Sequence, residues 1–272
     1  MKRMQFGMFA IIALFLATLV ADRSLANGPT PFVIVSDVDD TVKITNVLDR
    51  DHASWNAVAN ETGFAGMPEL YTQLLGPDSP PERLRFISGS PSILTHKLNE
   101  LLNDAHFPVH NLTSRHFGET FKSAYDYKIK HMHALYGSAQ EKLILIGDDT
   151  ESDPEVYATF SSSRPDQVLA VYIRRITGRA LPVGSIPFVT AYDIALQEFL
   201  ARRLTETQAA SVGDSVLIAD DGTFLPRFQD CPHESRTIQH EIPDSLAQLF
   251  ERIEHRAVEL CHNRTPVHAP TR

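Results

Sequence analysis

At 272 residues, with 43% hydrophobic and 22% charged residues, the chain has the composition of a globular protein with room for one α/β domain and additions. A formal net charge of −9 argues against a nucleic-acid binder, which usually shows a basic face, and it gives the chain as a whole no pull toward an anionic membrane. There is no internal repeat and no low-complexity tract.

Lys2 and Arg3 precede an apolar stretch from Phe6 to Ala21, followed by Ser24-Leu25-Ala26 with small residues where a signal peptidase reads. The apolar run is shorter than the ~20 residues of a membrane span. The expectation is a signal peptide over residues 1–26 and an exported protein, periplasmic or secreted. No Cys adjoins this point, so a lipoprotein is not expected.

Phe32-Val33-Ile34-Val35 reads as a buried strand closed by Ser36, and it runs straight into Asp37-Val38-Asp39-Asp40-Thr41. Like charges this close repel by roughly 4 kcal/mol per pair at an effective dielectric near 20. A bound cation is the usual offset. The turn therefore points to a metal-assisted site whose first carboxylate can act as a nucleophile. A solvated turn is the plain alternative. A calcium loop is excluded, because its Gly and Glu positions hold Val42 and Leu48. The stretch from Thr41 to Pro81, with Trp55, suits either a lid over the site or a helical hairpin packed on the sheet.

Further strands are expected at Leu84–Ile87, Leu143–Ile146 and Val168–Ile173, near-continuous apolar runs typical of a parallel sheet covered on both faces. Between them lie helical stripes: Leu94, Leu98, Leu101 and Leu102, with Ser90 as N-cap and Pro91 in the first turn, then Ile129, Met132 and Leu135. This alternation predicts an α/β fold, a Rossmann-like parallel sheet with helices on both faces. Ligands of such sheets bind at the carboxyl ends of the strands. Those ends hold Ser88-Gly89-Ser90-Pro91, Gly147-Asp148-Asp149 with Asp153 beyond, and Arg174-Arg175. A core over 27–200 is thus followed by an extension over 201–272 packed on it. In the extension, Val216–Ala219, Asp221-Gly222 and Thr223–Leu225 read as a β-hairpin. Pro243 then opens an amphipathic helix through Leu246, Leu249, Phe250, Ile253, Ala257 and Leu260. Cys231 and Cys261 are either a disulfide or buried thiols, and export favours the disulfide.

Acidic turn, strand-end Ser, downstream Lys and GDxxxxD follow the order of the haloacid dehalogenase superfamily, which the chain resembles at four separated points. Ser36-Asp37-Val38-Asp39-Asp40-Thr41-Val42-Lys43, Gly66-Met67-Pro68-Glu69-Leu70-Tyr71, Ser88-Gly89-Ser90-Pro91 and Ile146-Gly147-Asp148 through Asp153-Pro154-Glu155-Val156-Tyr157 look like the motifs of the actin-patch-protein type of phosphatidate phosphatase. The resemblance covers residues 32–175. It implies Asp37 as nucleophile, Asp39 as general acid and base, Ser88 as a donor to the phosphoryl group, and Lys128 as its countercharge, with Lys130 and Lys122 as alternatives. It implies Mg²⁺ held by Asp37, Asp148, Asp153 and the backbone carbonyl of Asp39, with Asp149 as the alternative to Asp153. Asp40 is read as fixing the turn, Arg174 as structural or as a headgroup contact, and His131 and His133 as surface residues. The implied substrate is phosphatidate, giving diacylglycerol and phosphate, with transient membrane-surface contact. A soluble phosphomonoester and a non-catalytic binding module are the rival readings. The oligomeric state stays open.

Overall fold

The computed structural model describes residues 31–49, 62–119, 121–232, 236 and 240–264. The expected signal peptide, and residues 50–61 of the stretch after the acidic turn with Trp55, lie outside them. The described residues from Phe32 onward form one compact unit.

Six parallel strands make one sheet in the order β3-β2-β1-β4-β5-β6. They are β1 (Phe32–Ser36), β2 (Leu84–Pro91), β3 (Asn111–Arg115), β4 (Lys142–Asp148), β5 (Val168–Arg174) and β6 (Ser185–Phe188). β1 and β4 lie at the centre because nearly every side chain they carry is apolar and can be buried. The chain moves outward from β1 through β2 to β3, then crosses back to β4 on the other side of β1. That reversal opens a crevice between β1 and β4 at their carboxyl ends.

Alternation along the strands divides the core in two. Ile34, Phe86, Ile144, Ile146 and Tyr172 face α1 (Met67–Leu75), α2 (Thr95–Asp104), α5 (Ala191–Leu200), α6 (Glu206–Ile218) and α8 (Asp244–His262). Val33, Val35, Leu143, Leu145 and Ile173 face α3 (Ala124–Tyr136) and α4 (Asp153–Ser163). The fold is therefore the expected α/β architecture with helices on both faces. The amphipathic helix after Pro243 is α8, and Cys231 and Cys261 are joined, their Cα atoms 5.7 Å apart. No helix among the described residues is long and apolar enough to cross a membrane.

Two expectations differ, and two strands were not anticipated. The hairpin near residue 220 is instead the end of α6 followed by the short helix α7 (Asp221–Phe224). Thr205 and Gln208 form a capping box that starts α6, and Ala209, Val212 and Val216 continue its buried stripe. The Asp-Gly pair falls in the first turn of α7, where Asp220 accepts from the N–H groups of Gly222 at 2.9 Å and Thr223 at 3.0 Å. Strands β3 and β6 carry Thr, Ser, Asn and Pro, and their weak apolar signal reflects their place at the sheet edges. Ser90 caps no helix: it lies within β2, and a 3₁₀ turn over Ser92–Leu94 precedes α2.

Candidate active site

The first acidic turn is built by its own middle residue. Asp40 has a φ of 54°, in the left-handed region. Its buried carboxylate accepts from the N–H groups of Thr45 (2.9 Å), Asn46 (2.6 Å) and Val47 (2.8 Å), so it fixes the turn as expected. The Asp37 N–H still pairs with the Ile146 carbonyl at 3.0 Å, which holds Asp37 at the β1–β4 crevice. Beneath it, Tyr71 of α1 donates to Ser36 Oγ at 2.8 Å, so the Gly66–Tyr71 motif braces the turn from below.

Three carboxylates meet here. Asp37, Asp148 and Asp153 are buried, and each offers an oxygen within 4.8 Å of the others. Asp148 ends β4, and Asp153 opens α4 five residues on. Lys128, in the second turn of α3, donates to Asp37 Oδ1 at 2.7 Å and also to Asp153 Oδ1. Thr41 Oγ1 donates to Asp148 Oδ2 at 3.0 Å and lies 3.5 Å from Asp37 Oδ2. Thr150 supplies its N–H to Asp148 Oδ1 at 2.7 Å and donates its hydroxyl to the same oxygen.

Burial, reinforced by the Asp153 and Asp148 charges against the pull of Lys128, raises the Asp37 carboxyl well above the usual range. Burial and then Asp153 push Asp148 up to about 8. For Lys128, burial acts downward, but the Asp153 and Asp37 carboxylates outweigh it and hold the ammonium well above its ordinary value. One ammonium cannot neutralise three buried carboxyl groups, so Asp37 and Asp148 hold their protons more tightly than free carboxyls do, and a further cation is what would let all three ionise. An all-oxygen set of this kind fits a hard divalent cation.

Asp39 stands apart from that cluster. Its Oδ1 accepts from the Thr45 hydroxyl and its Oδ2 from the Ser90 hydroxyl, each at 2.7 Å. Asp37, Asp39, Thr45, Ser90, Asp148 and Thr150 line a cleft of about 210 Å³. Ser88 is buried below it, and its Oγ accepts from the Ser90 N–H at 3.0 Å, which leaves the hydroxyl proton to donate.

The alternatives left open by sequence separate cleanly. Asp149 spends its carboxylate on the loop after β5, accepting from Ile176 (2.8 Å), Thr177 (2.7 Å) and Gly178 (3.0 Å), so Asp153 is the one that joins the cluster. Lys130 pairs with Glu119 at 2.7 Å and Lys122 is exposed; neither replaces Lys128. Arg174 is buried against the rings of Phe64 and Phe188 and donates to the carbonyls of Thr41 (3.0 Å) and Val189 (2.9 Å), a structural role. His133 is exposed and His131 half-buried on the Tyr127 ring, and neither belongs to the cluster. Thr41, Thr45 and Thr150 were given no role by sequence, and Ser90 was read only as a helix cap. For Thr41, Thr45 and Thr150 the signal is a hydroxyl residue within a few positions of each acidic turn, whereas Ser90 meets Asp39 only through the fold.

Gly147 is required by packing. A Cβ there would lie 2.7 Å from Asp153 Cβ and 2.9 Å from the Tyr157 ring. Gly147→Ala is expected to displace Asp153, cost about 1–3 kcal/mol, and weaken the thermal upshift given by a divalent cation. Unchanged melting with and without the cation would contradict this.

The fold and cluster define an α/β protein with a buried acidic centre that could hold a metal ion, at a topological switch point. Residues 32–175 match the family described as "Phosphatidate phosphatase APP1, catalytic domain", and the chain belongs to that family. It is 32% identical over 167 residues to "Phosphatidate phosphatase APP1" of Saccharomyces cerevisiae, a match covering 57% of this chain and 28% of that protein. It is 24% identical over 192 residues to "Uncharacterized protein C29B5.04c" of Schizosaccharomyces pombe, covering 61% of this chain and 31% of that one. The chain thus spans less than a third of these curated relatives. No solved structure matches it.

Proposed function

We propose that this chain is a Mg²⁺-dependent phosphatase that hydrolyses phosphatidate to diacylglycerol and phosphate through a phosphorylated Asp37. The observation that carries the reading is the convergence of Asp37, Asp148, Asp153 and Lys128 at the base of a cleft that also holds Asp39. Lys128 holds Oδ1 of Asp37, so Oδ2 is the oxygen that attacks phosphorus. The phosphorus–oxygen bond to the leaving alcohol breaks as Asp39 protonates that oxygen. Asp39 then takes a proton from water, which attacks the aspartyl phosphate and releases phosphate. The hydroxyls of Thr45 and Ser90 hold the Asp39 carboxyl in place for both transfers. Ser88 donates to the phosphoryl group, and Lys128 offsets its charge. Asp37, Asp148, Asp153 and the Asp39 carbonyl would hold Mg²⁺, which when bound neutralises charge on the transferring group.

The family's description as a phosphatidate phosphatase supports a lipid substrate. The sequence of residues 1–26 supports export, to a periplasm or beyond the cell. The small polar cleft also suits a soluble phosphomonoester, the second reading. Phosphate release from phosphatidate in detergent micelles, measured against p-nitrophenyl phosphate with Mg²⁺ or EDTA, decides between them. Magnesium-dependent release from the lipid is the expected result. Release from the soluble ester alone would select the second reading, and release from neither would favour a non-catalytic binding module.

A further inference from the structure

Large apolar side chains crowd one half of the edge that holds the cleft. β1, β2 and β3 are neighbours in the sheet, and each is followed by a loop at its carboxyl end. The loop after β1 exposes Leu48, that after β2 Ile93 at 87%, and that after β3 Phe117 at 83% and Phe121 at 90%. These loops adjoin the cleft. Val47, Gly89, Ser90 and Pro91 line it, Pro91 pairs with Arg115, and Arg115 Nη2 would lie 3.7 Å from a Cβ on Gly89. Over β4 and β5 the same edge is polar, with Thr150, Glu151 and the Arg175–Asp230 and Arg179–Glu155 ion pairs.

Two of these three loops, those after β2 and β3, also carry more cations than acids. In residues 91–97 and 115–123 the cations Lys97, Arg115 and Lys122 face a single acid, Glu119, in a chain of net charge −9. Separate apolar tips on short loops among cations suit the headgroup layer of an anionic bilayer. The cleft demands such a contact. Its volume of about 210 Å³ is below the ~300 Å³ of a pocket that encloses a drug-sized ligand. It can take a phosphorylated headgroup while two acyl chains stay outside.

We infer that the loops carrying Ile93, Phe117 and Phe121 dock on an anionic lipid bilayer and set the mouth of the cleft against its headgroups. The choice of a lipid surface rests on the phosphatidate reading, but docking is measurable without turnover. The mature chain from Asn27, without the expected signal peptide, is mixed in EDTA with phosphatidylcholine–phosphatidylglycerol vesicles carrying brominated acyl chains. Phe121→Trp is expected to show emission quenched by bromine beyond that of the parent with its own Trp55. Val183→Trp, exposed just before β6 toward the opposite edge, is expected to add no quenched emission. The combined Ile93→Ser, Phe117→Ser and Phe121→Ser variant is expected to partition roughly 100-fold more weakly, with the parent's melting temperature and unchanged turnover of p-nitrophenyl phosphate. No added quenching in Phe121→Trp, equal quenching in Val183→Trp, or parental partitioning of the triple variant would overturn the inference. Docking that persists in a protein inactive on phosphatidate would uphold it and remove the substrate reading instead.

Discussion

Lys128→Met is expected to cost about 3–5 kcal/mol of folding stability in EDTA and to abolish phosphate release. The side chain is buried, and both carboxylates it touches are buried with it. Its removal leaves Asp37 and Asp153 without the ammonium that both touch. Methionine fills much the same volume, so the loss is electrostatic rather than a cavity. Mg²⁺ is expected to stabilise the variant more than the parent, because in the variant the ion replaces the missing ammonium. Denaturant unfolding of both proteins with and without Mg²⁺ measures this directly. A variant as stable as the parent in EDTA would mean that the carboxylates are not ionised against Lys128, and the charge account would fail.

The second large effect is on pH dependence. In EDTA, stability is expected to fall as pH rises from about 4 toward about 8. Burial and the Asp153 charge raise the folded-state carboxyl of Asp148 to about 8, against an unfolded value near ~3.9. The folded state therefore binds the proton more tightly than the unfolded chain does. Its stabilising contribution is fully present below the unfolded value and is lost as pH climbs through the folded one. Asp37 is raised in the same direction and adds to the slope. Asp148→Asn, which carries no charge to lose, is expected to flatten the profile and abolish turnover. Mg²⁺ is expected to flatten it in the parent by favouring the ionised carboxylates. Melting temperatures across this range, with EDTA and with Mg²⁺, are the check. A metal-free parent whose melting temperature rises toward pH 8 would contradict the sign.

These effects reside in residues that were legible as chemistry before they were legible as structure. Asp37, Asp148 and Asp153 stand at or just beyond the carboxyl ends of apolar runs, and a parallel sheet brings such ends to one edge. Lys128 was harder, since only tertiary packing separates a buried lysine from the exposed Lys130 two positions on. The division of labour between Asp149 and Asp153 was closed to sequence for the same reason. Asp149 is committed by backbone N–H groups of a loop nearly thirty residues away. Ser90 was misread because a serine before a proline fits a helix cap locally, whereas Asp39 lies on another strand's turn. The hairpin near residue 220 failed because Asp-Gly starts a helix as readily as it turns a strand, and only the packing of α6 decides. Edge strands β3 and β6 escaped because a strand with one neighbour needs no continuous apolar run.

The central claim is that Asp37 carries the phosphoryl group. The most direct measurement is acid quenching of the Mg²⁺-loaded protein during turnover of phosphatidate, followed by mass spectrometry of its peptides. The account predicts a phosphoryl group on Asp37 and on no other residue, absent from Asp37→Asn and absent in EDTA. Turnover at full rate with Asp37 unmodified, or with the label on another side chain, would contradict it.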